Sequence, residues 1–193
     1  MEGLTEIKQL LISLTGVAQA DVSAIEDIAA IRQVAKDEFL LEKGNKARFA
    51  YFILKGAFRE FYTDSDGREH NKAFCFKGEF IGSYYDLNSG KPSTASIQAL
   101  ADSRVIALHY VALKQLFETD IVWQKVAQAI THRLLIKKCE KEYQLLCLSA
   151  KERYLLLREE QPLLEQMVPA YHIASFLGIT PVSFSRIRAQ IRK

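Results

Sequence analysis

From Asp120 to Leu148 a helical pattern runs without a single glycine or proline. A helix longer than about 25 residues is unusual inside a small domain and marks a coiled coil or a spine between domains. It divides the chain into three expected units: residues 1–119, 120–148 and 149–193. Val122, Val126, Ile130 and Leu134 fall four apart on one stripe, with Trp123 and Ala127 beside it. Lys137, Lys138, Glu140, Lys141 and Glu142 then break the apolar face, so a strict zipper stops there. The spacing predicts a dimer helix whose first turns pair with a second copy through Val122, Trp123, Val126, Ile130 and Leu134. A single helix packed on its own chain would carry the same stripe.

Ahead of this spine the period changes. Leu4, Ile7, Leu10, Leu11 and Leu14 form a helical face, and Val22 to Ile31 repeats the spacing more weakly. From Arg32 short apolar runs take over, among them Ala50–Leu54, Glu69–Phe76, Thr94–Leu100 and Arg104–Leu108. Turn and loop signals separate them: Glu42-Lys43-Gly44-Asn45, Lys55-Gly56, Asp64-Ser65-Asp66-Gly67 and Asn88-Ser89-Gly90-Lys91-Pro92. Many short strands with glycine at the corners predict an antiparallel barrel or jelly roll, and no strand–helix alternation suggests a parallel sheet. Tyr110 to Glu118 reads as a short helix.

Behind the spine, Ser149 and Glu152 make a capping box that opens a new helix, which Pro162 ends. The stretch Tyr171 to Arg188 then has the grammar of a helix-turn-helix. Ile173, Ala174 and Leu177 give a short helix one apolar face, and Gly178 ends it. Thr180 caps a second helix, Pro181 takes its first position, and Phe184 and Ile187 pack back. A helical hairpin in a core shares this grammar. The sequence reaches Lys193 just after the second helix, so no β wing is expected. The fold class expected is α+β: an antiparallel jelly-roll barrel with flanking helices, a long dimerisation helix and a small helix-turn-helix domain.

Charge favours a nucleic-acid-facing C-terminus. Residues 1–120 hold 14 Lys/Arg against 17 Asp/Glu, while residues 149–193 hold 7 against 4. No acidic residue occurs from Val168 onward. Cys75, Cys139 and Cys147 are widely spaced without a CxxC pair and read as reduced packing residues. The N-terminus lacks a signal-peptide pattern and no run reaches the length of a membrane span, so a cytoplasmic location is expected. No Ser-His-Asp set, paired carboxylates or phosphate-cradling loop is present, so no enzyme is expected.

The order of these parts resembles the Crp/Fnr family of bacterial transcription regulators over nearly the whole chain. Tyr171-His172-Ile173-Ala174-Ser175-Phe176-Leu177-Gly178-Ile179-Thr180-Pro181-Val182-Ser183-Phe184-Ser185-Arg186-Ile187 is similar to the family's helix-turn-helix, in the form of its Bacteroidetes-type members. Gly56, Asp66-Gly67 and Gly78-Glu79-Phe80-Ile81-Gly82 resemble its cyclic-nucleotide-binding barrel. The resemblance implies double-stranded DNA and a second copy as partners, and an effector in the barrel. In members that bind cyclic nucleotides, a glutamate and an arginine hold the ribose and the phosphate. Here those positions fall at Ser83 and Ser93, so cyclic AMP is not expected by the usual contacts. Gly82, Ser83, Lys91, Ser93 and Thr94 remain as a pocket for an unknown small effector, and a filled barrel without a ligand is the other reading.

For DNA, the resemblance places Arg186 at the recognition-helix arginine. Arg188 and Arg192 suit phosphate, Ser183 and Ser185 offer hydroxyl contacts, and Thr180 caps the helix. Pro181 and Val182 stand where better-known members carry a base-reading pair. The N-terminal cysteine cluster of the iron–sulfur branch is missing, and His70 and His109 suit surface or core roles better than haem. No cofactor and no metal are expected.

Overall fold

The computed structural model describes residues 2–16, 18 and 22–191. Helix α1 (Glu2–Thr15) and the one-turn α2 (Ile25–Ile28) lead into eight strands. These are β1 (Ala29–Val34), β2 (Phe39–Leu41), β3 (Phe49–Lys55), β4 (Ala57–Thr63), β5 (Glu69–Phe76), β6 (Phe80–Ile81), β7 (Ala95–Ala99) and β8 (Ser103–His109). Helix α3 (Tyr84–Ser89) lies between β6 and β7. Then follow α4 (Tyr110–Thr119), the spine α5 (Ile121–Cys147), α6 (Ala150–Glu160), α7 (Leu164–Met167), α8 (Ala170–Phe176) and α9 (Pro181–Ile191). The class is the α+β arrangement that the sequence implies.

Two four-stranded sheets face each other, in the orders β1-β8-β3-β6 and β2-β7-β4-β5, with antiparallel pairings. Alternation assigns the side chains. Tyr51 and Ile53 of β3, with Val105 and Ala107 of β8, point between the sheets onto Phe58 and Ile97. Their neighbours Phe52, Leu54, Ile106 and Leu108 point outward, where α1, α4 and α5 cover them. Both faces of β3 and β8 are therefore buried, which is why β3 reads as a continuous apolar run, while the edge strand β1 is mostly exposed. At the β3–β4 corner Gly56 has φ +100°, and a Cβ there would collide with Ser103.

Three expectations change. The helical spacing over Val22–Ile31 survives only at Ile25–Ile28, because Ala29–Val34 pairs with β8 along its whole length. A complete ladder and the burial of Val34 outweigh a weak helical period. The helix α3 continues through Asn88 and Ser89, and Gly90 at φ +66° ends it. The third change concerns the spine. Trp123 and Val126 are each 1% exposed within the chain's own core, so they offer no face to a second copy. Trp123 packs beside Phe117 of α4, and α1 lies against the same helix. Ile130 is partly buried against this cluster, and Val122 is half-buried. From Thr131 onward nearly every residue of α5 is exposed, Leu134, Leu135, Leu145 and Leu146 included.

Candidate nucleic-acid interface and effector cassette

The helix-turn-helix forms through local chemistry. Gly178 takes φ +69°, its amide donates to Ser175 O, and the Ile179 amide donates to Ala174 O. These two bonds close a Schellman motif that satisfies the last carbonyls of α8. Thr180 Oγ1 accepts from the Ser183 amide at 3.2 Å, capping α9, and Pro181 needs no amide partner. Phe184 is 1% exposed and meets Tyr154 of α6 edge-on at 4.9 Å. Leu157, Leu164, Val168, Ile173, Ala174 and Leu177 share this small core, and Phe74 of β5 joins it from the barrel. Ser149 and Glu152 form the capping box that starts α6.

The outer face of α9 presents Pro181, Val182, Ser185 and Arg186, all exposed. Ser183 is half-buried and its hydroxyl lies 3.0 Å from that of Thr180. Arg188 is committed inside the domain: it pairs with Glu165 at 2.8 Å, and Arg158 reaches the same carboxylate at 3.3 Å. Tyr154 donates to Glu165 as well, and burial followed by that bond raises the phenol to about 12. Arg192 lies outside the described residues. Of the candidate DNA residues, Arg186 and Ser185 face solvent together, while Arg188, Thr180 and Ser183 have partners inside the domain.

In the barrel, Ser83 and Ser93 meet, but around a protein carboxylate. Both hydroxyls donate to Asp86 Oδ2 at 2.6 Å. Asp86 is 1% exposed, and its Oδ1 has no partner among the described residues. Ser93 also accepts from the Ala95 amide at 3.1 Å. The cassette thus holds a carboxylate of its own between the two serines. Lys91 and Thr94 are exposed and stand apart from this cluster in the hydrogen bonding. Gly82 lies against the β3 backbone, where a Cβ would come to 3.4 Å from Ala50 Cα. Asp86 was not a sequence candidate. Its place inside a Gly-bounded cassette is the signal that marks it.

Other candidates resolve simply. His70 is exposed and bonds Asp64 at 2.7 Å, and His109 stacks edge-on with Phe49. The packing role expected of the cysteines does not hold for Cys139 and Cys147, which are exposed thiols, whereas burial pushes the Cys75 thiol far above its usual range. Among the described residues no group of three His, Cys, Asp or Glu side chains is placed to hold a metal ion, and no helix is long and apolar enough to cross a membrane.

Comparison with known proteins places this geometry. Residues 31–120 match the family described as cyclic nucleotide-binding domain. The chain is 29% identical over 91 residues to the cAMP-activated global transcriptional regulator CRP of Escherichia coli O6:H1, covering 46% of this chain and 43% of that protein. Its namesake in Salmonella typhimurium is 27% identical over 81 residues, 42% of this chain and 39% of that one. FixK2 from Bradyrhizobium japonicum superimposes with a TM-score of 0.70 at 25% identity, covering 86% of this chain and 85% of that one. Residues 31–120 are thus similar to a cyclic nucleotide-binding domain, and the chain shares the fold of FixK2 over most of its length. The aligned part spans less than half the length of these curated relatives. The catabolite activator protein of Thermus thermophilus shares the fold, with a TM-score of 0.58 at 21% identity over 94% of this chain and 86% of that one. A barrel of the cyclic nucleotide-binding type is therefore present here, with Ser83 and Ser93 bonded to Asp86 in its cassette.

Proposed function

We propose that this protein is a member of the Crp/Fnr family, a non-enzymatic, homodimeric transcription regulator of the cytoplasm that places α9 in the DNA major groove. The observation that carries the reading is α9 itself: capped by Thr180, anchored by Phe184, and presenting Arg186 and Ser185 on a face without an acidic residue. A helix held in this way enters the groove with its N-terminal end. Arg186 is the candidate for a guanine contact, and Ser185 and Ser183 add hydroxyls. Arg188 holds Glu165 and supports the domain more than it reaches phosphate. With one exposed arginine on the described face of α9, affinity rests largely on backbone charge and is salt-sensitive. The Bacteroidetes-type spelling of residues 171–187 is part of this reading.

Dimerisation is assigned to the second half of α5. Leu134, Leu135, Leu145 and Leu146 are 40%, 59%, 52% and 77% exposed there. Such a run of exposed leucines on a bare helix favours burial against a second copy. Cyclic AMP is not the effector by the usual contacts, because a phosphate entering the cassette meets the Asp86 carboxylate instead of an arginine. The test is selection of bound duplexes from a random library at two salt concentrations, with wild type and Arg186→Ala. Enrichment of a two-fold symmetric site that the variant loses supports the reading. No enrichment at either salt favours a module whose helix-turn-helix does not bind DNA, a reading that the internal partners of Arg188 and Ser183 support.

A further inference from the structure

The helix-turn-helix is bonded to the barrel by a buried polar cluster that none of the sequence motifs marks. Arg59 of β4 is 5% exposed and His172 of α8 is 5% exposed. Arg59 Nη1 and Asn71 Nδ2 each approach His172 Nδ1 at 3.2 Å. Asn71 Nδ2 also donates to His172 O at 3.3 Å, and its amide donates to Ser175 Oγ at 3.1 Å. Ser175 Oγ donates in turn to Glu69 O at 2.8 Å. Phe74 and Phe176 pack beside this cluster with ring centres 5.4 Å apart. Lys141 of α5 lies 4.3 Å above the Phe176 ring and donates to Lys72 O. Barrel, spine and helix-turn-helix meet at this point.

Chemistry fixes the state of His172. An arginine and an amide NH₂ are donors only, so Nδ1 must accept and the ring proton sits on Nε2. We propose that this junction is an acid-opened latch: the unprotonated Nδ1 of His172 holds α8, and with it the helix-turn-helix, docked on β4 and β5. A proton on Nδ1 would replace an acceptor by a cation facing two donors, one of them charged. The docked state therefore excludes that proton. The latch rests on the barrel and α8 alone, and stands or falls separately from DNA binding by α9.

The charged groups around the ring set the window. Burial, and after it Arg59 from β4, lowers His172 from its ordinary 6.5 to about 4. Glu69 from β5 and Asp37 from the β1–β2 loop act in the opposite sense. Tyr171 contributes only a ring face at 4.0 Å. A cleft of about 780 Å³, lined by Asp37, Asp102, Met167 and Pro169 among others, runs along His172 and gives solvent a path to it. Undocked, His172 titrates near its ordinary value. Docking is thus fully favoured above that value and lost as pH falls toward about 4. Between pH 7 and pH 5 the docked-to-undocked ratio falls about 20-fold.

The test is a distance measurement between spin labels at Asp66→Cys and Gln190→Cys. The background is Cys139→Ser with Cys147→Ser, and labelled chains are diluted with unlabelled full-length protein. One narrow distance is expected at pH 7.5, with a second, broader population growing at pH 5. His172→Asn keeps an acceptor at the place of Nδ1 and does not titrate, so it should stay narrow at both pH values. An unchanged wild-type distribution at pH 5 overturns the latch. So does broadening or unfolding at pH 5 that His172→Asn shares.

Discussion

Ser83 and Ser93 reach Asp86 across three and seven residues of chain, whereas Arg59 and Asn71 reach His172 across 113 and 101. The first cluster closes a loop on itself within one barrel. The second bonds the barrel to the helix-turn-helix, which also meet where Phe74 packs on Phe176 and through α5. Both bury polar atoms, and buried polar atoms need partners. The difference lies in what moves when the partners are lost. Opening the cassette disturbs only the loop between β6 and β7. Opening the junction frees the helix-turn-helix. A cassette that supplies its own carboxylate is poorly suited to receive a phosphate signal, while a junction across domains is suited to transmit one.

Four experiments break or sharpen that contrast. The largest effect is expected from Phe184→Asp, which puts a carboxylate into the small core beside Tyr154. A buried unpaired charge costs well over about 4 kcal/mol, so α6–α9 should unfold. The barrel should remain folded, giving one retained melting transition and proteolysis confined to residues after the spine. Simultaneous loss of the barrel would show that the junction binds the domains into one folding unit. Next comes Asp86→Ala, which leaves the Ser83 and Ser93 hydroxyls without their acceptor. The expected loss is about 1–3 kcal/mol of barrel stability, measured by urea unfolding. The label distance between positions 66 and 190 should not change, since this cluster does not touch α8.

Leu135→Glu with Leu146→Glu addresses the spine. Both are exposed in the single chain, so its fold should be intact, while dimer dissociation rises at least about tenfold in sedimentation, the equivalent of 1.4 kcal/mol. A Val126 substitution should instead lower chain stability, because that side chain is 1% exposed inside the protomer. The smallest effect is expected from cyclic AMP. Millimolar ligand should move Tm by less than about 1 °C, since a ligand without affinity for the folded state adds no stability. A clear shift would mean that the Asp86 cluster opens to admit the phosphate.

The legible parts of the fold were those written in neighbouring residues. Gly178, Thr180, Pro181 and Phe184 specify the turn and the second helix, and each sits as its own chemistry dictates. Most strands were legible from their glycine-marked corners, though not β1, and the Ser149–Glu152 box from its spacing. What periodicity missed depended on what lies opposite. The stripe of Val122, Trp123, Val126, Ile130 and Leu134 marks an apolar face, but periodicity does not say whether α1 and α4 or a second copy covers it. Ser83 and Ser93 were legible as missing charges, yet the carboxylate that fills the space came from Asp86 on α3. The Arg59, Asn71 and His172 cluster had no sequence signal, since single residues on β4, β5 and α8 meet only in the folded chain.

The most direct test of the regulator reading is a fluorescence anisotropy titration of a selected duplex across a series of salt concentrations, with wild type and Arg186→Ala. The account expects log affinity to fall linearly with log salt. Arg186→Ala should lose about 1–3 kcal/mol on the selected site and far less on unrelated DNA. Equal affinities of wild type and variant for both duplexes, or no binding even at low salt, would contradict a recognition role for α9.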